Sequence, residues 1–291
     1  EDGFMVITPS VLIYGAKMKK NLIALCLAMA SGSSFAWTTG DFNGSIDIGG
    51  TIEKSEYKGK WFWKSGTGFD NFEHTTNALR NNGTKLVIQV SEDKPILLGK
   101  TSEAFSTPTA GLGAVPNISF SDYKGTAVTL HGGTTAGAHY FDLPVKTAQA
   151  EDQIGTLRVN VTAAGAVAKQ GDAAISLHSV EATQNSEIFY GGLVSGSSLK
   201  SVAFATDTTA TFGSLSREEL VQQVQAVDSS LTNVNEGSTI AETMVSADRK
   251  VVSAAYAMGM SAGQTMEATF TNAVTTETKW KAPLNIVVAY Q

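Results

Sequence analysis

The chain has 291 residues, 42% of them hydrophobic, with 21 basic and 27 acidic side chains and a formal net charge of −6. A mildly acidic chain offers no basic face to phosphates, which argues against a nucleic-acid partner. A single cysteine, Cys26, rules out a disulfide framework within the chain.

Met18-Lys19-Lys20, the apolar run Leu22 to Ala30 and the small residues of Ser34-Phe35-Ala36 make the three-part pattern of a secretory signal, with cleavage expected before Trp37. Residues 1–17 precede that pattern and read as upstream sequence outside the fold. Processing leaves 255 residues, 18 basic and 25 acidic, with no cysteine in an oxidising compartment. No later stretch is long and apolar enough to be a transmembrane helix.

From residue 41, Phe42, Gly44, Ile46, Ile48, Gly50 and Ile52 take alternate positions against Asn43, Ser45, Asp47 and Thr51. On pattern alone this is an ordinary first strand. Further on, Asn81-Asn82-Gly83 is a turn signal ahead of a strand at 85–90. Asn117 to Phe120 and Ala127 to Leu130 flank the turn Asp122-Tyr123-Lys124-Gly125. Thr156 to Val161 and Met266 to Phe270 also alternate. Short strands at this spacing predict an all-β sandwich of immunoglobulin-like topology. The looser, more polar stretch at about 165–237 reads as an inserted subdomain. Within it Ser216-Arg217-Glu218-Glu219 is a capping box, predicting a helix of about 12 residues with Leu220, Val224 and Val227 on one face. At the C-terminus Leu284, Ile286, Val288 and Tyr290 alternate to the penultimate residue, giving an edge that something external must cover.

Chemistry is sparse. Gly259-Met260-Ser261-Ala262-Gly263 matches a nucleophile elbow, which would make a secreted serine hydrolase. That motif needs a helix after the serine, yet residues 264–270 alternate as a strand. His74, His131, His139 and His178 lack metal-ligand spacing, and His131 and His139 read as surface loop residues. No phosphate loop or other cofactor motif is present.

Trp37 to Gly50, Trp61-Phe62-Trp63-Lys64, Lys94 to Gly99, Glu103-Ala104-Phe105, Ile188-Phe189-Tyr190-Gly191-Gly192, Phe212 to Arg217, Val251 to Ala257 and Trp280 to Asn285 together resemble the FaeG-like fimbrial major subunits of the chaperone–usher pathway. The resemblance spans essentially the whole chain after residue 36 and is weakest at 132–137 and 165–187. It implies an immunoglobulin-like sandwich, incomplete by one strand, at 53–291. It also implies that 37–52 is a donor strand, with Phe42, Gly44, Ile46 and Ile48 filling a neighbour's groove. A periplasmic chaperone would contact the strand of Leu284, Ile286, Val288 and Tyr290 before an outer-membrane usher delivers the subunit to the cell surface. Such subunits also act as adhesins for host glycans through a site around the Ile188–Gly192 run. His178, Glu181, Asn185 and Glu187 are the polar candidates there, but no Phe, Tyr or Trp lies between Ala166 and Ile188 to stack on a sugar. The alternative is a purely structural subunit.

Overall fold

The computed structural model describes residues 49–52, 57–135, 137–194 and 201–291. The signal-like segment at 18–36 and the run carrying Phe42, Gly44, Ile46 and Ile48 lie outside the described residues. The chain divides into two units, Glu1–Ile52 and Glu53–Gln291, and all regular structure among the described residues falls in the second.

That unit is mostly β. Its strands are β1 (Trp61–Ser65), β2 (Lys85–Gln89), β3 (Lys94–Thr101), β4 (Pro116–Ser121), β5 (Ala127–Val128), β6 (His131–Gly132), β7 (Ala138–Thr147), β8 (Gln153–Gln170) and β9 (Ile175–Glu181). Two helices come next, α1 (Val202–Phe212) and α2 (Arg217–Gln225). The chain ends with β10 (Val234–Glu236), β11 (Ile240–Ala241), β12 (Val252–Met260), β13 (Thr265–Phe270), β14 (Trp280–Lys281) and β15 (Asn285–Tyr290). The larger sheet runs β1-β3-β12-β8-β13-β2, with β7 and β9 each pairing β8 and the short strands attached to those two. A three-stranded sheet, β15-β4-β5, faces it, and Ile118 and Phe120 of β4 share one core with Leu86, Ile88, Leu97, Val159, Tyr256 and Met266.

Turn chemistry fixes the expected hairpin at 80–85. Asn81, Asn82 and Gly83 all take left-handed backbone (φ 49, 55 and 84), which Asn and Gly tolerate and branched residues do not. On β7 strict alternation buries His139, Phe141, Leu143 and Val145, so His139 is a core residue instead of a loop residue. Its Nδ1 lies 2.6 Å from the Gly137 carbonyl. His131 is exposed and stacks on Tyr140 across the β6–β7 pair.

The central strands serve two layers. On β8 the odd residues Leu157, Val159, Val161, Ala163 and Val167 enter the sandwich core, while Ala164, Ala166 and Ala168 face the helices. The expected start of the insertion at Gly165 therefore falls inside the longest strand. A run of small residues reads as loose, but here it lets two layers approach one backbone. A Cβ on Gly165 would sit 3.0 Å from the Phe189 ring.

Helix α2 starts on the expected capping box: Glu219 N donates to Ser216 Oγ at 3.2 Å, and Ser216 N to Glu219 Oε2 at 2.8 Å. It buries Leu220 and Val224 but ends at Gln225, which leaves Val227 55% exposed beyond it. Helix α1 was not legible in the sequence, because four of its eleven residues are threonine, a poor helix former. Tertiary packing overrides that preference. Thr206 and Thr209 are buried and donate back to the Val202 and Thr206 carbonyls. Ser201 caps the start, and Gly213 at φ 97 ends α1 in a Schellman motif, with Ser214 N donating to Thr209 O.

Leu220 is fully buried against the small residues of β8 and β12. Leu220→Ala is expected to lower unfolding free energy by about 2–5 kcal/mol, and Ser216→Ala, which removes only a cap, by about 1 kcal/mol. Denaturant unfolding of the purified chain checks both. Equal effects would show that α2 is not packed as described.

Candidate functional site

The C-terminal strand β15 pairs antiparallel with β4, Ile286 opposite Phe120, Val288 opposite Ile118 and Tyr290 opposite Pro116. Gln291 N donates to Val115 O at 3.0 Å, which makes Tyr290–Pro116 a non-hydrogen-bonded pair. The ladder alternates from there, so Asn285, Val287 and Ala289 bond their backbone groups to β4. Ile286, Val288 and Tyr290 direct theirs at the opposite edge, where no other strand pairs with β15 among the described residues. The far edge of β4 obeys the same alternation: Phe189 N donates to Pro116 O and Ile118 N to Tyr190 O, both at 2.8 Å.

Burial separates this edge from that of β2. Strand β2 also ends the larger sheet, yet its inward residues Leu86 and Ile88 are 4% and 2% exposed. On β15 the inward Ile286, Val288 and Tyr290 all remain half-buried, as does Leu284 just before the strand, although Ile118 and Phe120 beside them are covered. One edge of the sandwich thus presents three apolar side chains and three sets of backbone donors and acceptors together.

A family model described as "Fimbrial, major and minor subunit" matches residues 18–291. This chain belongs to that family of fimbrial subunits. K88 fimbrial protein AD of Escherichia coli is 48% identical over 285 residues, covering 94% of this chain and 100% of the relative. K88 fimbrial protein AC, from the same organism, is also 48% identical, over 283 residues and with the same coverage. The F41 fimbrial protein of Escherichia coli is 28% identical over 282 residues, again 94% and 100% covered.

A fimbrial subunit is a building block of a polymer at the cell surface, structural in role and not enzymatic. The Ser261 region agrees in its geometry. A turn with Gly263 at φ 89 leads into β13, not into a helix, and Ser261 Oγ lies 3.0 Å from Thr162 Oγ1. Ser261 lines a cleft of about 330 Å³ with Thr162 and Gln264, facing Phe204, Asp207 and Thr211 of α1.

The four polar residues His178, Glu181, Asn185 and Glu187 do not converge. Glu187 is 8% exposed, and its Oε2 accepts from Thr183 N at 2.5 Å and Gln184 N at 3.0 Å, closing a turn. His178 packs on Gly237 and its Nδ1 lies 2.8 Å from Ser238 O. Glu181 is half-buried three residues along β9, so strand alternation sends it to the face opposite His178. Asn185 is exposed. Of the neighbouring aromatics, Phe189 is fully buried in the core and Tyr190 is 40% exposed.

Tyr290 ends the open edge with a partly buried phenol, which accepts from Trp63 Nε1 at 2.9 Å. Burial pushes its pKa above the usual 10, while the Trp63 N–H pulls the other way by favouring the phenolate. A folded pKa above the unfolded one contributes stability that is complete below about pH 10 and is lost as pH rises through the folded value. The stability advantage of the wild-type subunit over Tyr290→Phe should therefore shrink above pH about 10. Denaturant unfolding of both proteins across the alkaline range tests this, and a constant difference would contradict it.

Proposed function

We propose that this subunit polymerises by strand addition along the open edge of β15. The observation that carries the reading is the coincidence of half-buried Ile286, Val288 and Tyr290 side chains with outward-directed backbone groups on the same three residues. An added strand supplies backbone partners for that edge and covers those side chains, so one element meets both needs. Completing the cover of a partly buried aliphatic side chain is worth up to about 1 kcal/mol, so several such contacts and a full ladder make a durable joint without a disulfide.

The 37–52 run of a second copy has the period that this role requires, with Phe42, Gly44, Ile46 and Ile48 on one face. On this reading a periplasmic chaperone covers the same edge during export, contacting Leu284, Ile286, Val288 and Tyr290. The usher in the outer membrane then exchanges the chaperone strand for that of the next subunit.

The subunit as major component and adhesin, binding host glycans on its inserted layer, is the second part of the proposal. What supports it is the cleft between α1 and the β12–β13 turn. There Phe204 offers the aromatic surface absent between residues 166 and 188, beside Asp207, the hydroxyls of Thr162, Thr211 and Ser261, and the Gln264 amide. Carboxylate, amide and hydroxyls around an aromatic ring are the groups that sugars need. Without that binding the protein is a purely structural subunit.

Deleting residues 37–50 should yield subunits that stay chaperone-bound or cap a growing fibre but cannot extend one, as electron microscopy of cells would show. A copy of residues 41–52 fused after Gln291 through a flexible linker should give a monomer that resists heat and no longer polymerises. Long fibres from the deletion would leave 37–52 as a plain first strand.

Phe204→Ala and Asp207→Asn, made in that self-complemented monomer, should each reduce glycan-array binding at least ten-fold while leaving polymerisation of the unfused chain intact. Unchanged binding would move the receptor surface off α1, and no glycan binding by the parent monomer would favour the purely structural subunit.

A further inference from the structure

Two tryptophans on β1 point into the sandwich, and both tie that strand to the facing sheet at one end. Trp61, 5% exposed, donates its indole N–H to Ala114 O at 2.9 Å, just ahead of β4. Trp63 is only half-buried and donates to Tyr290 Oη at 2.9 Å, at the tip of β15. The first bond anchors a buried segment. The second grips the last residue of an edge strand that, among the described residues, has a neighbour on one side only.

Trp63 is itself held firmly. Gly99 lies directly across from it on β3, and a Cβ there would come within 2.4 Å of the indole, so glycine admits the ring. The indole stacks near Trp61 (6.2 Å between centroids, 24° between planes), meets Phe189 edge-on at 6.3 Å and lies 6.1 Å from Tyr256. Phe189 and Tyr256 are fully buried, and Tyr256 Oη donates to Gly192 O at 2.8 Å. The donor in the Trp63–Tyr290 bond therefore sits on a packed aromatic platform, while the acceptor sits on the last residue of β15, beyond which the Gln291 N–H to Val115 O bond is the remaining backbone tie.

We propose that Trp63 is a positioning residue for fibre assembly: its N–H holds Tyr290 inward so that the last of the three residues of β15 with outward-directed backbone groups stays in register to receive the incoming strand. The proposal rests on strand addition along this edge. Only Ile286, Val288 and Tyr290 direct backbone groups outward, so losing the order of Tyr290 removes a third of the acceptor ladder. The indole does not touch the incoming strand in this role. It acts through Tyr290, whose ring covers the end of the groove while its hydroxyl is engaged.

The test uses intact fimbriae built from wild type, Trp63→Phe, Tyr290→Phe and the double variant, all of which keep an aromatic ring at both sites. Amide hydrogen exchange should show Ile286, Val288 and Tyr290 protected in wild-type fibres. In each single variant exchange at Tyr290 should quicken about ten-fold, with β12 amides unchanged, and subunit release in guanidinium should quicken by a similar factor. The double variant should match the singles, because one hydrogen bond is lost in all three. Faster exchange throughout the sandwich would make Trp63 a general packing residue and overturn the proposal, as would additive effects or none. Unprotected Ile286 and Val288 amides in wild-type fibres would instead refute strand addition along β15. If Trp63→Phe fails to assemble, the exchange and release measurements on Tyr290→Phe decide the matter alone.

Discussion

Among the described residues β15 pairs with β4 on one side only, and that one-sided pairing is the constraint on which the rest of the molecule depends. An antiparallel strand alternates the direction of its backbone groups, so a one-sided strand always leaves half of them unmatched. At most sheet edges water satisfies them and the side chains beneath are already covered, as on β2. On β15 the side chains on the same residues are incompletely covered as well, and a strand is the element that remedies both deficits at once. That double deficit is what the proposed strand addition rests on, and an ordinary sheet edge lacks it.

The helical layer is joined to that edge through shared strands, not through a linker. β8 and β12 carry core residues on one face and alanines on the other, so the helices rest on the same backbone that walls the sandwich. The Ile188–Gly192 segment is built in still more closely. Phe189 takes a left-handed conformation, φ 67, that a bulky residue adopts only under compulsion. Hydrogen bonds to β4 hold it, and Gly191 and Gly192 have no room for a Cβ against Ile118 and the Tyr256 hydroxyl. β4 thus lies between this segment and β15, two neighbours held by alternate residues of one strand.

Much of the fold was legible in the residues, because it is written in local rules. Period-two alternation marked β4, β8, β13 and β15, the Asn81-Asn82-Gly83 turn marked the hairpin, and the Ser216–Glu219 capping box marked the start of α2. The same alternation excludes a nucleophile elbow at Ser261, since residues 265–270 form β13 where that motif needs a helix.

What only the tertiary structure decided was every property that depends on which surfaces meet. Helix α1 contradicts its own threonine content because burial against β8 outweighs propensity, and His139 is internal because β7 already includes it, despite the loop-like flank before it. Glu187 looked like a ligand by residue type, but its carboxylate closes its own turn. The alternation of Ile286, Val288 and Tyr290 and the need to cover that edge were plain in the sequence, whereas the pairing of β15 with β4 and the degree of burial it leaves were not. Alternation fixes which way a side chain points, and only the set of neighbouring strands fixes whether anything covers it.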